Sequence, residues 1–158
     1  KIQYHVETQY LERKGLHPEE KIRPTKIAEE IIGMLNAGGG VLIFGVANNG
    51  DITDLRALSV DEINGYRTLC ADFIKPPANV RLEELTLDTG ELIFLYHVAL
   101  DTERVFSRSD NENVFLRTAD KNKGPLDRDE VRKLEYDKEI RRYEEEVRQD
   151  CLVASRAL

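Results

Sequence analysis

Hydrophobic positions recur along the chain in two rhythms, and the changes between them mark out elements. His5 to Lys14 (HVETQYLERK) mixes β-forming residues with charge and predicts a first strand. Gly15 to Arg23 is polar and predicts a loop, closed by Pro24 and Thr25, which open a helix. Ile27, Ile31 and Leu35 then fall at i, i+4 and i+8, with Ala28 and Ile32 beside them, so this helix carries one apolar stripe. Gly38, Gly39 and Gly40 stop it. Val41 to Val46 (VLIFGV) is apolar on successive positions, the pattern of a buried central strand. Asn48, Asn49 and Gly50 predict a turn, and Asp51 to Leu55 a short returning strand.

The second half continues in the same way. Ser59 and Glu62 form a capping box that starts a helix through Ile63, Tyr66, Leu69, Cys70 and Phe73, ended by Lys75, Pro76 and Pro77. Val80 to Leu87 alternates as a half-buried strand, Asp88 to Gly90 turn the chain, and Glu91 to Leu100 returns as a more buried strand. Val105 to Ser107 and Asn113 to Thr118 are shorter strand candidates, and Ala119 to Pro125 reads as a polar loop. Asp127 and Glu130 resemble a second capping box, with a helix behind them to about Gln149. Between Asp127 and Asp150 there are seven basic and ten acidic residues. The apolar positions Val131, Leu134, Ile140, Tyr143 and Val147 are sparse, which predicts an exposed, ion-paired helix with a thin docking stripe. A connector to a following domain, or a dimer contact, is the sharper alternative.

Composition narrows the class. The 158 residues suit one domain, alone or with an appendage, and 41% apolar content is ordinary for a globular chain. Charged residues reach 34%, with a net charge of −7. Such a balance argues against a general polyanion binder, though a local basic groove on an acidic body remains compatible with it. Cys70 and Cys151 are too far apart in sequence to form a disulfide framework, and a reducing cytoplasm fits best. No apolar run approaches the ~18 to 20 residues that span a bilayer, and membrane association is not expected. The chain begins without Met, and we expect it to be a piece of a longer protein.

The triple glycine invites a phosphate-loop reading, but its direction opposes this. Anions bind at helix N-termini, whereas here a helix precedes the glycines and presents carbonyls. No Gly-Lys-Ser/Thr follows. A tight left-handed stop that lets backbone enter the sheet is the expected role. Gly45 inside the strand marks a close approach or a bulge. Asn36 either fixes the junction by bonding nearby backbone or contacts a nucleotide. His5, His17 and His97 show no metal-ligand spacing, and His97 is expected to be hydrogen-bonded within a strand. Arg13, Lys14, Arg117, Lys121 and Lys123 are the candidate nucleic-acid contacts, with Tyr10 as a stacking partner. Ordinary surface charge accounts for this set about as well as a groove does.

Several segments together resemble the Schlafen-type AlbA domain family. That family has a helix ending in Asn, a small residue and a Gly pair, followed by a buried strand finishing Gly-Val. This chain supplies Asn36, Ala37, Gly39 and Gly40, then Val41 to Phe44, Gly45 and Val46, then Gly50, Ile52 and Leu55. The first strand of the family carries two acids and a Lys, here Glu7, Glu12 and Lys14, and the later aromatic strand ending in Arg is matched by Val114 to Arg117. The match runs from about residue 4 to 136. It implies an α+β fold with a mixed central sheet and about three helices, and a long charged C-terminal helix follows. Residues 1–136 would form the domain, and 137–158 an extension toward a domain not included in this sequence.

The resemblance also implies function. A nucleic-acid-binding module of a bacterial, cytoplasmic transcriptional regulator is the first expectation, with DNA or RNA as partner and a downstream ATPase-like (ATP-binding) or helix-turn-helix segment. In Schlafen endoribonucleases the acids corresponding to Glu7 and Glu12 bind a divalent metal, with Lys14 offsetting transition-state charge. An enzyme using Mg²⁺ or Mn²⁺ at Glu7 and Glu12 is therefore the second expectation. Residues five apart on a regular strand face opposite ways, so both acids share a site only across a bulge. Ala47 and Asn48 stand where nuclease members often carry a third acid. A structural homodimer through the long helix is the third expectation.

Overall fold

The structure, a computed structural model, describes residues 9–16 and 22–157. Its elements follow the sequence rhythm closely. Strand β1 (Leu11–Lys14) leads to helix α1 (Pro24–Asn36) and strand β2 (Gly40–Phe44). A 3-10 turn at Leu55–Ala57 precedes α2 (Val60–Phe73). Then come β3 (Ile74–Lys75), the hairpin β4 (Val80–Thr86) and β5 (Leu92–Val98), β6 (Ser107–Arg108), β7 (Leu116–Thr118), β8 (Lys121–Lys123) and α3 (Arg128–Ala157). The main sheet has the order β1-β2-β5-β4, with β1 parallel to β2 and the other pairs antiparallel. This is the mixed sheet of an α+β fold, with α1 as the crossover between the two parallel strands.

Register explains the burial. Glu12 pairs with Leu42 and Lys14 with Phe44, while Leu42 pairs with Tyr96 and Phe44 with Phe94. Directly paired residues share a face, so β1 places Glu12 and Lys14 on the side that carries Leu42, Phe44, Phe94 and Tyr96. These four apolar residues are buried with Ile27, Ile31 and Leu35 of α1 in one core. Val41 and Ile43, on the opposite face, are only half-buried, so β2 is less enclosed than its composition predicts.

The helix ends behave as their sequence dictates. The Ser59 hydroxyl accepts from the Glu62 backbone N–H while the Glu62 carboxylate accepts from that of Ser59. Asp127 and Glu130 make the same reciprocal pair at the start of α3. After α1 the Gly39 N–H donates to the Met34 carbonyl, with Gly39 at φ 71° and Gly40 at φ 134°. A Cβ on Gly40 would lie 2.4 Å from the Tyr10 carbonyl oxygen, and one on Gly39 2.6 Å from that of Val98. The glycines therefore let the chain pass between β1 and β5, as a stop and entry device.

Four expectations change. Asp51 to Leu55 forms only an isolated bridge, Val46 to Ile52, before the 3-10 turn, whose Asp54 carboxylate accepts from the Arg56 and Leu92 N–H groups. Val105 to Ser107 shifts to Ser107–Arg108, pairing with Ile74–Lys75. Lys121–Lys123, expected in a loop, pairs with Leu116–Thr118 across a tight turn that places Ala119 at φ 54°. This strand is polar because only Asn122 turns inward, its Nδ2 donating to the Glu29 carbonyl 3.1 Å away. Finally, α3 continues to Ala157, about 45 Å of helix. Leu134 and Lys138 face the domain, so contacts extend past residue 136 within one unbroken helix.

Candidate nucleic-acid interface

Glu12 and Lys14, two apart on β1, point to the same side, as strand geometry requires. Their environment is ionic and enclosed. The Glu12 carboxylate accepts a short hydrogen bond from Arg117 Nη1, and its other oxygen lies 3.0 Å from Lys14 Nζ. Arg117 Nη2 donates to the Leu11 carbonyl at 3.2 Å. Glu30 of α1 joins from above, 3.7 Å from Lys14 Nζ, 3.8 Å from Arg117 Nη1 and 3.6 Å from Lys26 Nζ. Glu12, Glu30 and Arg117 are each at most 5% exposed. Glu12, Glu30 and Arg117 thus form a buried ionic cluster joining β1, α1 and β7, with the half-buried Lys14 and the exposed Lys26 at its edge. Charges taken out of water need this mutual satisfaction, because an uncompensated buried ion costs several kcal/mol.

This placement bears on the candidate metal acids. Glu7 lies outside the described residues. Glu12 is held by two cationic groups, and among the described residues no three His, Cys, Asp or Glu side chains converge as metal ligands. The described residues therefore do not suit Mg²⁺ or Mn²⁺. Asn48 is exposed and some way along the chain from these acids, at the turn after β2.

The other candidates divide by exposure. Arg117 has no exposed side-chain surface and acts inside the protein. Asn36 is likewise buried: its Nδ2 donates to the carbonyls of Phe106, at 2.9 Å, and Phe115, at 2.8 Å, and its Oδ1 accepts from the Phe106 N–H at 2.7 Å. It ties the end of α1 to two distant segments rather than to its own loop. Lys121 and Lys123 are exposed on β8, the latter ion-paired with Glu130. Tyr10 is 57% exposed, with its ring against the position a Gly38 side chain would occupy. His97 Nε2 lies 3.0 Å from the Glu83 carboxylate, a cross-strand contact as expected.

Arg13 and Lys14 instead meet at a cleft of about 400 Å³ with Gly15, Ile22, Ala47, Asn48 and Asn49. It opens beyond the carboxyl ends of β1 and β2, where parallel strands commonly leave room for a ligand. Its cations and side-chain amides provide hydrogen-bond donors, and among the described residues no carboxylate lines it. Gly15 is needed there, since a Cβ would lie 3.0 Å from the Ala47 backbone.

Three functional side chains escaped sequence reasoning. Glu30 follows Ile27 by three positions and therefore lies near the buried stripe, a sign that it needs an internal cation. Lys26 precedes it by four. Lys138 follows Leu134 by four and enters the domain, donating to the carbonyls of Leu35, Asp101 and Arg104. Its ammonium also lies 5.4 Å from the Phe106 ring centroid. Burial pulls its pKa down to about 8.

Comparison with known proteins places this geometry. The family model described as Schlafen, AlbA_2 matches residues 7–126. A crystal structure of the DIP2311 protein from Corynebacterium diphtheriae is similar in fold, with a TM-score of 0.50 and 23% identity. The alignment covers 77% of this chain and 23% of that one, so the chain spans less than a quarter of that protein. No curated protein matches. No helix among the described residues is long and apolar enough to cross a membrane.

Proposed function

The chain belongs to the Schlafen AlbA_2 family, and from that premise we propose that it is a nucleic-acid-binding module whose cleft between Arg13, Lys14, Asn48 and Asn49 receives phosphate groups. The observation that supports this reading most directly is the cleft's lining: among the described residues, two cations and two amides without an acid, on a body whose net charge is −7. Arg13, 8% exposed, lines the cleft with a guanidinium, a group whose planar fork suits phosphate oxygens. Lys14 contributes part of its charge, because Glu12 and Glu30 hold its ammonium on one side. Asn48 and Asn49 are exposed at the rim. We take Asn36 and Arg117 as internal ties, and Lys121 as an accessory cation on the β7–β8 hairpin. Service as part of a bacterial transcriptional regulator with further domains belongs to the same proposal. The metal-dependent nuclease alternative draws no support from Glu12, which Arg117 and Lys14 already neutralise.

Fluorescence anisotropy with a single-stranded RNA and a duplex DNA tests the reading. With about two phosphate contacts, log K should fall with log salt at a slope of roughly −1 to −2. Asn48→Asp places a carboxylate in the cleft without touching the core, and binding should weaken about tenfold, as expected for one new like charge. Equal binding by this variant, or no binding even near ~50 mM salt, overturns the proposal. The same titration tells RNA from DNA.

A further inference from the structure

Helix α3 has a second face that the domain does not use. Leu134 and Lys138 point inward, at 6% and 2% exposure. At about 100° per residue, Tyr136, Ile140, Tyr143 and Val147 fall within an arc of roughly 60° on the opposite side. Their spacing of four, three and four is the alternation of a coiled-coil seam. They are exposed by 63%, 39%, 66% and 42%, and extend over about 16 Å of helix. Charge is sorted around this seam. Asp137 and Glu144 flank it on one side, and Glu139 and Glu146 on the other, all four exposed. None of these four takes part in an ion pair among the described residues. The helix's basic residues in this stretch, Lys138, Arg141, Arg142 and Arg148, lie toward the domain side instead.

We propose that this seam receives a partner amphipathic helix whose own apolar seam is flanked by Lys or Arg. The flanking acids select the occupant. In a parallel pair of two copies, Arg132 would face Asp137 of the second chain, but Glu139 would face Glu144, and Glu146 would have no cation opposite. In an antiparallel pair, Glu139 and Glu146 would face one another, as would Asp137 and Glu144. Both arrangements place carboxylates opposite carboxylates, and neither supplies a cation to Glu139, Glu144 or Glu146, so a basic-flanked helix fits the seam better than a second copy does. A basic-flanked helix meets acids on both sides while covering two tyrosines and two branched aliphatic residues. This surface is separate from the cleft and does not depend on nucleic acid binding.

The test uses the full chain and two designed peptides of equal length. Both carry Ile and Leu along an apolar helical seam; one has Lys at the flanking positions and the other Glu. The Lys peptide should bind at least tenfold more tightly. Ile140→Asp with Tyr143→Asp should reduce that binding at least tenfold while leaving the circular dichroism spectrum unchanged. Glu139→Lys with Glu146→Lys should reverse the preference toward the Glu peptide, and Asn48→Asp should leave peptide binding as it was. Equal affinity for both peptides, failure of the Lys peptide to bind, or binding that survives the seam substitutions overturns the inference. So does a micromolar homodimer that Ile140→Asp dissociates, since a second copy would then occupy the seam.

Discussion

Glu12 shows how one side chain's meaning depends on what reaches it from far along the chain. In the sequence it stands as a candidate metal-binding acid, and the register of β1 puts Lys14 on the same face. Arg117, 105 positions later, converts it into half of a buried ion pair. Arg117→Met should therefore destabilise the fold by about 3–5 kcal/mol, because Glu12 keeps its charge without its main partner. Urea unfolding measures this, and Glu12→Gln in the same background should recover part of the loss. Asn36 gives a second test. Its amide N–H groups serve two carbonyls, so Asn36→Asp would turn acceptors toward acceptors. That variant should be less stable than Asn36→Ala near neutral pH, by about 1–3 kcal/mol. The sequence marked both residues as special but could not identify their partners. Neither spacing nor hydropathy records which of several distant polar groups will meet inside the core.

At the scale of elements, local signals were the most readable. The capping boxes at Ser59 and Asp127 and the stop at Gly39 and Gly40 act within a few residues of themselves. Two glycine substitutions should accordingly have opposite signs. Gly40→Ala drives a Cβ toward the Tyr10 carbonyl at positive φ and should cost at least about 2 kcal/mol. Gly65→Ala, inside α2 with Pro24 at 3.4 Å as its nearest neighbour, should stabilise by about 0.5–1 kcal/mol. The polar strand β8 was hidden because its lysines project to solvent and only Asn122 turns inward. The α1–α3 junction was hidden for another reason: a lysine on a docking stripe reads as surface. Lys138 has a pKa of about 8 where a lysine ordinarily has 10.5. Between those values the unfolded chain binds the extra proton, so this group's contribution to stability increases with pH through that window. Nitrogen-detected NMR should find its titration there, and Lys138→Met should flatten the corresponding rise in stability.

For the molecule as a whole, the hydropathy pattern conveyed the layered α+β arrangement, while the relation of α3 to the domain needed three dimensions. Leu134 and the later apolar positions read as one stripe, yet they lie on opposite sides of the helix. A chain ending after Arg142 retains Leu134 and Lys138 and should melt within a few degrees of the full chain. One ending after Leu126 exposes the Leu35, Asp101 and Arg104 carbonyls and should melt about 5–15 °C lower, which differential scanning calorimetry resolves. The link between Glu12 and Arg117 also bears on how the molecule is made. Synthesis delivers the chain from its N-terminus at about 5–20 residues per second, so Glu12 leaves the ribosome roughly 5–20 s before Arg117. During that interval Lys14 and Lys26 are the nearby cations available to Glu12 and Glu30. Closure of the cluster by β7 is thus a late event, and a nascent chain arrested before Arg117 should hold β1 and α1 together more weakly than the released protein does.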